Sequence, residues 1–272
     1  MDNPLKHFRL VISCAFLVAQ PAMAELIRVG GTGSASPLMQ ELGAAYRKQH
    51  PNDEVHVMFP PPGSGGGVRM LVSGKLDLAV SGRPLKPEEE AQVGQVFLYA
   101  KTPLVIAGRG GARKAGFSRS EIADLYAGRL TRWDDGSAIR IIMRSPYESD
   151  TLQLRKLSPS VDEAVQLAFE RPGMAYAEND LDAADLLTKV PGSVGTTTLG
   201  LLKAGSHPLQ LYTLEGILPT VQNLAEGKYP LSKSIFVVAG RQLSESAKRF
   251  IQFLRTPQAS DVLRRAEYLP QQ

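Results

Sequence analysis

From Leu26 to Val80 the chain alternates short apolar runs, glycine-serine turns and helical periodicity, and this alternation constrains the fold more than any other feature. Leu26 to Val29 predicts a strand, Pro37 to Gln49 a helix, Glu54 to Phe59 a second strand, Val68 to Ser73 a second helix and Leu76 to Val80 a third strand. Strands separated by helices pair in parallel after a crossover, so the expectation is an α/β unit with a largely parallel sheet. Ser36 is placed to cap the first helix, with Pro37 at its first position.

The same logic recurs downstream. Strands are expected at Thr102 to Ala107, Ile139 to Arg144, Ser193 to Thr198 and Ser234 to Ala239. Helices are expected at Ser118 to Leu130, Asp150 to Leu157, Val161 to Phe169, Asp180 to Lys189, Pro219 to Gly227, Ser244 to Leu254 and Pro257 to Ala266. Ser118 with Glu121 has the spacing of a capping box.

Before this region, Lys6 and Arg9 precede the apolar run Leu10 to Ala19, and Ala22-Met23-Ala24 offers small residues at a cleavage point. The expectation for residues 1–24 is a secretory signal peptide, which places the mature protein in the periplasm. Its removal takes Cys14, the chain's single cysteine, and leaves no disulfide. The alternative reading makes Val11-Ile12-Ser13-Cys14 a lipoprotein site with Cys14 lipidated, but the apolar run before such a cut is short.

The net charge of +4 is spread among acids, with short basic groups such as Arg109 to Lys114. A mild excess suits an anionic ligand and equally an ordinary solvated surface. No basic face interleaved with aromatics is visible, so nucleic acid is not an expected partner.

Two turns carry the functional signal, GGTGSAS at Gly30 to Ser36 and GSGGG at Gly63 to Gly67, each after a strand and before a helix. Such a turn points free backbone N–H groups and the positive end of a helix dipole at one spot, where glycine lets an anion approach. Tight strand-helix connections also use Gly and Ser for geometry alone; two on one sheet edge favour an anion cradle. Nucleotide motifs fail on spacing. Ser36 stands where a dinucleotide fingerprint has its third glycine, and Leu76 follows Gly74-Lys75 where a P-loop needs Ser or Thr.

The runs GTGSASP, GSGGGVRMLVSGKLDLAVSGRPL, YAKTPLVIA, LPTVQNLAEGKYPLSKSIFVVA and AEYLP, in that order, resemble the periplasmic phosphate-binding proteins of ABC importers, within the type II periplasmic binding protein superfamily. The resemblance implies an α/β fold of two lobes with a ligand cleft between them. Lobe one would comprise residues 25–103 and 230–272, and lobe two residues 104–229. The chain would enter lobe two near Pro103 and return near Tyr229.

By the same resemblance Ser34 matches a hydroxyl ligand, with the N–H of Ala35 beside it. Ser64 and Gly65 match a second hydroxyl in its glycine loop, Ser81 a serine at the end of the next strand, and Arg144 the arginine that grips the anion from lobe two. A planar guanidinium can hold two oxygens of a tetrahedral anion. The implied ligand is a small tetrahedral oxyanion, phosphate first. The implied partners are the membrane subunits of an ABC transporter, and the implied state is a monomer.

Two departures stand beside the matches. After the serine matching Ser81 such proteins carry an Asp that accepts the ligand's proton; here Gly82 and Arg83 follow. Arg83 is either a second cationic contact or a surface residue. After Arg144 the family has a Ser-Gly-Thr turn, whereas this chain reads Ser145-Pro146-Tyr147-Glu148-Ser149-Asp150-Thr151. Ser149 and Thr151 could stand in for the hydroxyls, but Glu148 and Asp150 bring negative charge to the anion end of the helix. These changes motivate an alternative, a sensing or docking module with an altered or lost anion site.

Catalysis has little support. After residue 24 the histidines are His50, His56 and His207, far apart, and there is no metal spacing and no Gly-x-Ser-x-Gly elbow. No catalytic residue, metal or cofactor is expected. Asp77 and Asp134-Asp135 read as strand-end and turn residues, and Trp133 as packing. Tyr147 falls where the cleft loop should be. The threonines of Gly192 to Leu199 either face the cleft or simply favour a strand.

Overall fold

The computed structural model describes residues 25–110, 114–205 and 207–271. The signal-peptide reading and Cys14 lie outside the described residues. The first part of the chain forms β1 (Glu25–Gly31), a short helical turn (Gly33–Ala35), α1 (Ser36–Arg47), β2 (Asp53–Val57), α2 (Gly63–Val72), β3 (Leu78–Ser81), α3 (Pro87–Glu90) and β4 (Gln95–Gly108). Then come β5 (Gly116–Phe117), α4 (Arg119–Ala127), β6 (Arg140–Met143), α5 (Ser149–Arg155), α6 (Pro159–Glu170), β7 (Ala175–Tyr176), α7 (Asp180–Lys189), β8 (Ser193–Thr198) and α8 (Leu199–Gly205). The chain closes with β9 (Gln210–Leu214), α9 (Val221–Ala225), β10 (Ser232–Ala239), α10 (Glu245–Leu254), α11 (Pro257–Arg265) and β11 (Leu269–Pro270).

The strand order β2-β1-β3-β10-β4-β8-β6-β7 consists of two parallel groups joined by an antiparallel centre. β2, β1 and β3 are mutually parallel, as are β8, β6 and β7. Between them β10 and β4 run antiparallel to each other and to their outer neighbours. β4 pairs with β10 as far as Pro103 and with β8 from Leu104 onward, so one strand passes through both groups.

Each group buries its own core. Ile27, Leu42, Tyr46, Ile235, Phe250 and Leu263 pack together on one side, and Leu104, Ile122, Trp133, Val165 and Tyr212 on the other. Trp133 stacks on Tyr212 with ring centroids 5.6 Å apart and donates to Gly192 O at 3.0 Å, so it serves the second core. This is the two-lobed α/β fold.

Local signals held where the argument was local. Ser118 accepts from the Glu121 N–H at 3.2 Å while the Glu121 carboxylate accepts from the Ser118 N–H at 2.8 Å, and Gly128 ends α4 with φ of 77°. Ser36, however, does not cap α1. It is already the first helical residue, Ala35 precedes it as cap, and the turn Gly33–Ala35 leads directly into the helix. α2 begins at Gly63, not Val68, so GSGGG is the helix's first turn. β4 begins at Gln95, not Thr102, because β10 pairs with it over its first half.

Candidate functional site

The two glycine turns meet because glycine permits it. A Cβ on Gly67 would lie 2.8 Å from Gly31 Cα, and one on Gly31, whose φ is 152°, would lie 1.9 Å from Val80 O. Only bare backbone lets α2 lie against the end of β1 at this distance. The Ser64 hydroxyl, in the first turn of α2, then reaches the loop after β3 and accepts from the Gly82 N–H at 2.9 Å.

Gly82 is the point where the lobes converge. A Cβ there would lie 2.7 Å from Lys233 Cε on β10, 3.2 Å from Thr32 Oγ1 and 3.3 Å from Ser149 Oγ at the start of α5. The side chain of Lys233, 1% exposed, thus fills the space that a side chain at position 82 would need. Its ammonium pairs with Asp150 Oδ1 at 2.7 Å and Asp180 Oδ1 at 2.5 Å. Burial alone would push the lysine's pKa down, but the two carboxylates outweigh it and hold the pKa above its ordinary value.

Asp180, the first residue of α7, completes the contact between lobes. Its Oδ2 accepts from Thr32 Oγ1 at 3.1 Å, and the Ser34 backbone N–H donates to the same carboxylate. Burial by itself raises the pKa of this carboxyl. The charges of Lys233 and Arg144, with the Lys233 and Ser34 hydrogen bonds, outweigh burial and hold it well below the usual carboxylate range. Around them, Thr32 and Ser34 hydroxyls lie 3.0 Å apart and the Tyr268 hydroxyl donates to Ser34 O at 2.9 Å.

Arg144 follows β6, with its side chain 2% exposed. Its Nη2 lies 3.4 Å from Glu148 Oε2, while Nε and Nη1 have no partner among the described residues. A buried cation with unsatisfied N–H groups costs free energy unless an acceptor reaches it, and an anion supplies one.

The structure therefore brings Ser34, Ser64, Arg144 and Ser149 to one interlobe region and buries Thr151 in the first turn of α5. The Ala35 N–H closes its own turn onto Thr32 O at 3.3 Å. Ser81 Oγ donates to Arg83 O at 2.7 Å, which fastens the loop after β3. Gly65 faces Arg69 and Arg83, not the buried cluster. Arg83 forms a two-pronged pair with Glu89 at 2.7 and 2.8 Å, which holds the Glu89 carboxyl down at about 2. Tyr147 is 85% exposed and Thr196, Thr197 and Thr198 are buried in β8.

Asp150, at the helix start, is paired with Lys233, which it shares with Asp180. Lys233, Asp180 and Thr32 were not singled out from sequence. Lys233 had a readable signal: in SKSIFVVA it shares the strand face of Ile235 and Val237, the inward one. Asp180 had none, since a residue after the Asn179 cap gives no hint that it faces Lys233 from the other lobe. Among the described residues no cluster of acids, histidines or cysteines could hold a metal ion, and no helix is long and apolar enough to cross a membrane.

A PBP superfamily domain model matches residues 18–258. The chain belongs to this superfamily. This binding protein is 22% identical over 256 residues to the phosphate-binding protein PstS of Borreliella burgdorferi, covering 90% of each chain. It superposes with a TM-score of 0.78 on a Clostridium perfringens protein proposed to be a phosphate ABC transporter substrate-binding protein and solved with phosphate bound, at 16% identity over 91% of this chain and 100% of that one. The Azotobacter vinelandii periplasmic molybdate-binding protein superposes with a TM-score of 0.64, at 16% identity over 90% of this chain and 100% of that one. Likeness at this level establishes the fold and leaves the ligand to the side chains in the cleft.

Proposed function

We propose that this binding protein captures a small tetrahedral oxyanion, phosphate, between its two lobes in the periplasm and delivers it as a monomer to the membrane subunits of an ABC importer. Residues 25–103 with 230–272 form one jaw and 104–229 the other, hinged where β4 and β10 cross. The observation that carries this reading is Arg144, a buried guanidinium whose Nε and Nη1 have no partner among the described residues. Ser34, Ser64, Ser149 and Thr151 would complete the donors. Binding would stabilise the closed arrangement by contacts from both jaws. Relatives named for phosphate binding support a retained anion site over a docking module, and binding over catalysis.

The test is the melting temperature of residues 25–272 with phosphate, arsenate, sulfate and molybdate. A ligand at ~100 times its Kd adds about 2.7 kcal/mol. A shift with phosphate that Arg144→Ala abolishes is expected; no shift with any oxyanion overturns the reading.

A further inference from the structure

We propose that Asp180 is the chain's own ligand for the lobe-one anion cradle, tying the cleft shut through Lys233, and that an incoming oxyanion must displace it. The inference rests on the oxyanion-binding reading of this cleft and says what the ligand meets there.

Asp180 makes the contacts that the glycine-serine turn offers an anion. Its carboxylate takes the Thr32 hydroxyl at 3.1 Å and the Ser34 N–H, and it lies against Gly33, where an added Cβ would come within 3.4 Å of Oδ2. Asp180 belongs to α7 of lobe two and these donors to lobe one, so the contact spans the cleft. Lys233 strengthens it from the crossing strand by holding Asp180 and Asp150 together. A tethered carboxylate competes at high effective concentration because no translational freedom is lost when it docks.

Charge gives the second argument. Lys233 and Arg144 already face the carboxylates of Asp150, Asp180 and the partly exposed Glu148 before any ligand arrives. An oxyanion added to the intact cluster would place like charges together in a desolvated site. Exchange of the Asp180 carboxylate for a ligand oxygen avoids this, since Thr32, Ser34 and Lys233 keep an acceptor and a negative charge leaves as another enters. Asp150 stays on Lys233 throughout.

Isothermal titration with inorganic phosphate and small-angle scattering test the proposal on residues 25–272 and on Asp180→Asn. The asparagine keeps the shape, and Lys233 keeps Asp150. Expected are phosphate binding roughly 5–150-fold tighter in Asp180→Asn, the range of ordinary coupling between sites, and a larger unliganded radius of gyration in the variant than in the wild type. Equal or weaker phosphate binding in a folded variant overturns the proposal. So does an unliganded wild type that contracts on adding phosphate, which decides the matter even where the variant does not fold. If neither protein binds phosphate yet the variant expands, the tie between lobes stands and the phosphate reading is what fails.

Discussion

Replacing Lys233 by methionine removes one buried charge and leaves a shape of similar length, so its effect isolates the electrostatics of the cleft. The ammonium lies 2.7 Å from Asp150 and 2.5 Å from Asp180. At an effective dielectric of about 20, Coulomb's law gives each contact about 6 kcal/mol before desolvation, which offsets most of it. The variant keeps the desolvation cost of two carboxylates and loses their common partner. Breaking a buried pair in this way costs about 3–5 kcal/mol. At ~2–4 °C per kcal/mol for a chain of this size, the melting temperature should fall by roughly 6–20 °C. Calorimetry of Lys233→Met against wild type at neutral pH measures this. The triple variant Lys233→Met, Asp150→Asn, Asp180→Asn should recover part of the loss, because the two carboxylates left without a partner are made neutral, while Arg144 stays charged beside Glu148. A drop below about 3 °C in the single variant, or a triple variant worse than the single, refutes the account of the cleft as a charge-paired seam.

The same cluster sets a pH window. The Asp180 carboxyl is held below its unfolded value, so its contribution is complete above about pH 3.9 and is lost below that as pH falls through the folded value. Lys233 is held above its ordinary value, so its contribution is complete below about pH 10.4 and is lost above that as pH rises through the folded value. Melting temperature against pH should be flat between these limits as far as this pair is concerned, and the triple variant should lose part of both outer slopes; unchanged slopes would contradict the assignment. Gly82→Ala places a methyl 2.7 Å from Lys233 Cε, which two carboxylates hold in place, and should cost about 1–3 kcal/mol by overpacking. Chemical denaturation of Gly82→Ala alone and combined with Lys233→Met checks it. The cost should shrink in the combination, and an equal cost in both backgrounds would place the strain elsewhere.

Periodicity and turn chemistry in the chain were enough to determine the α/β class, most of the helices, the longer strands other than β9, and the capping of α4, because each is decided by neighbours within a few residues, whereas α3, α8 and the short strands β5, β7 and β11 carried no such pattern. Turn chemistry also marked both glycine turns, while Arg144 and the two departures at Gly82 and Asp150 stood out only by resemblance to the phosphate-binding family. Their meaning was decided by tertiary structure. Gly82 lacks a side chain because Lys233, 151 positions downstream, occupies its space, and Asp150 is tolerated because the same lysine pairs with it. The GSGGG run belongs to α2, not to a loop, because Gly67 packs on Gly31. Asp180 enters the site only through lobe contact. Hydrophobic pattern is a local property of the chain, whereas charge balance in a cleft is a sum over elements that only folding brings together.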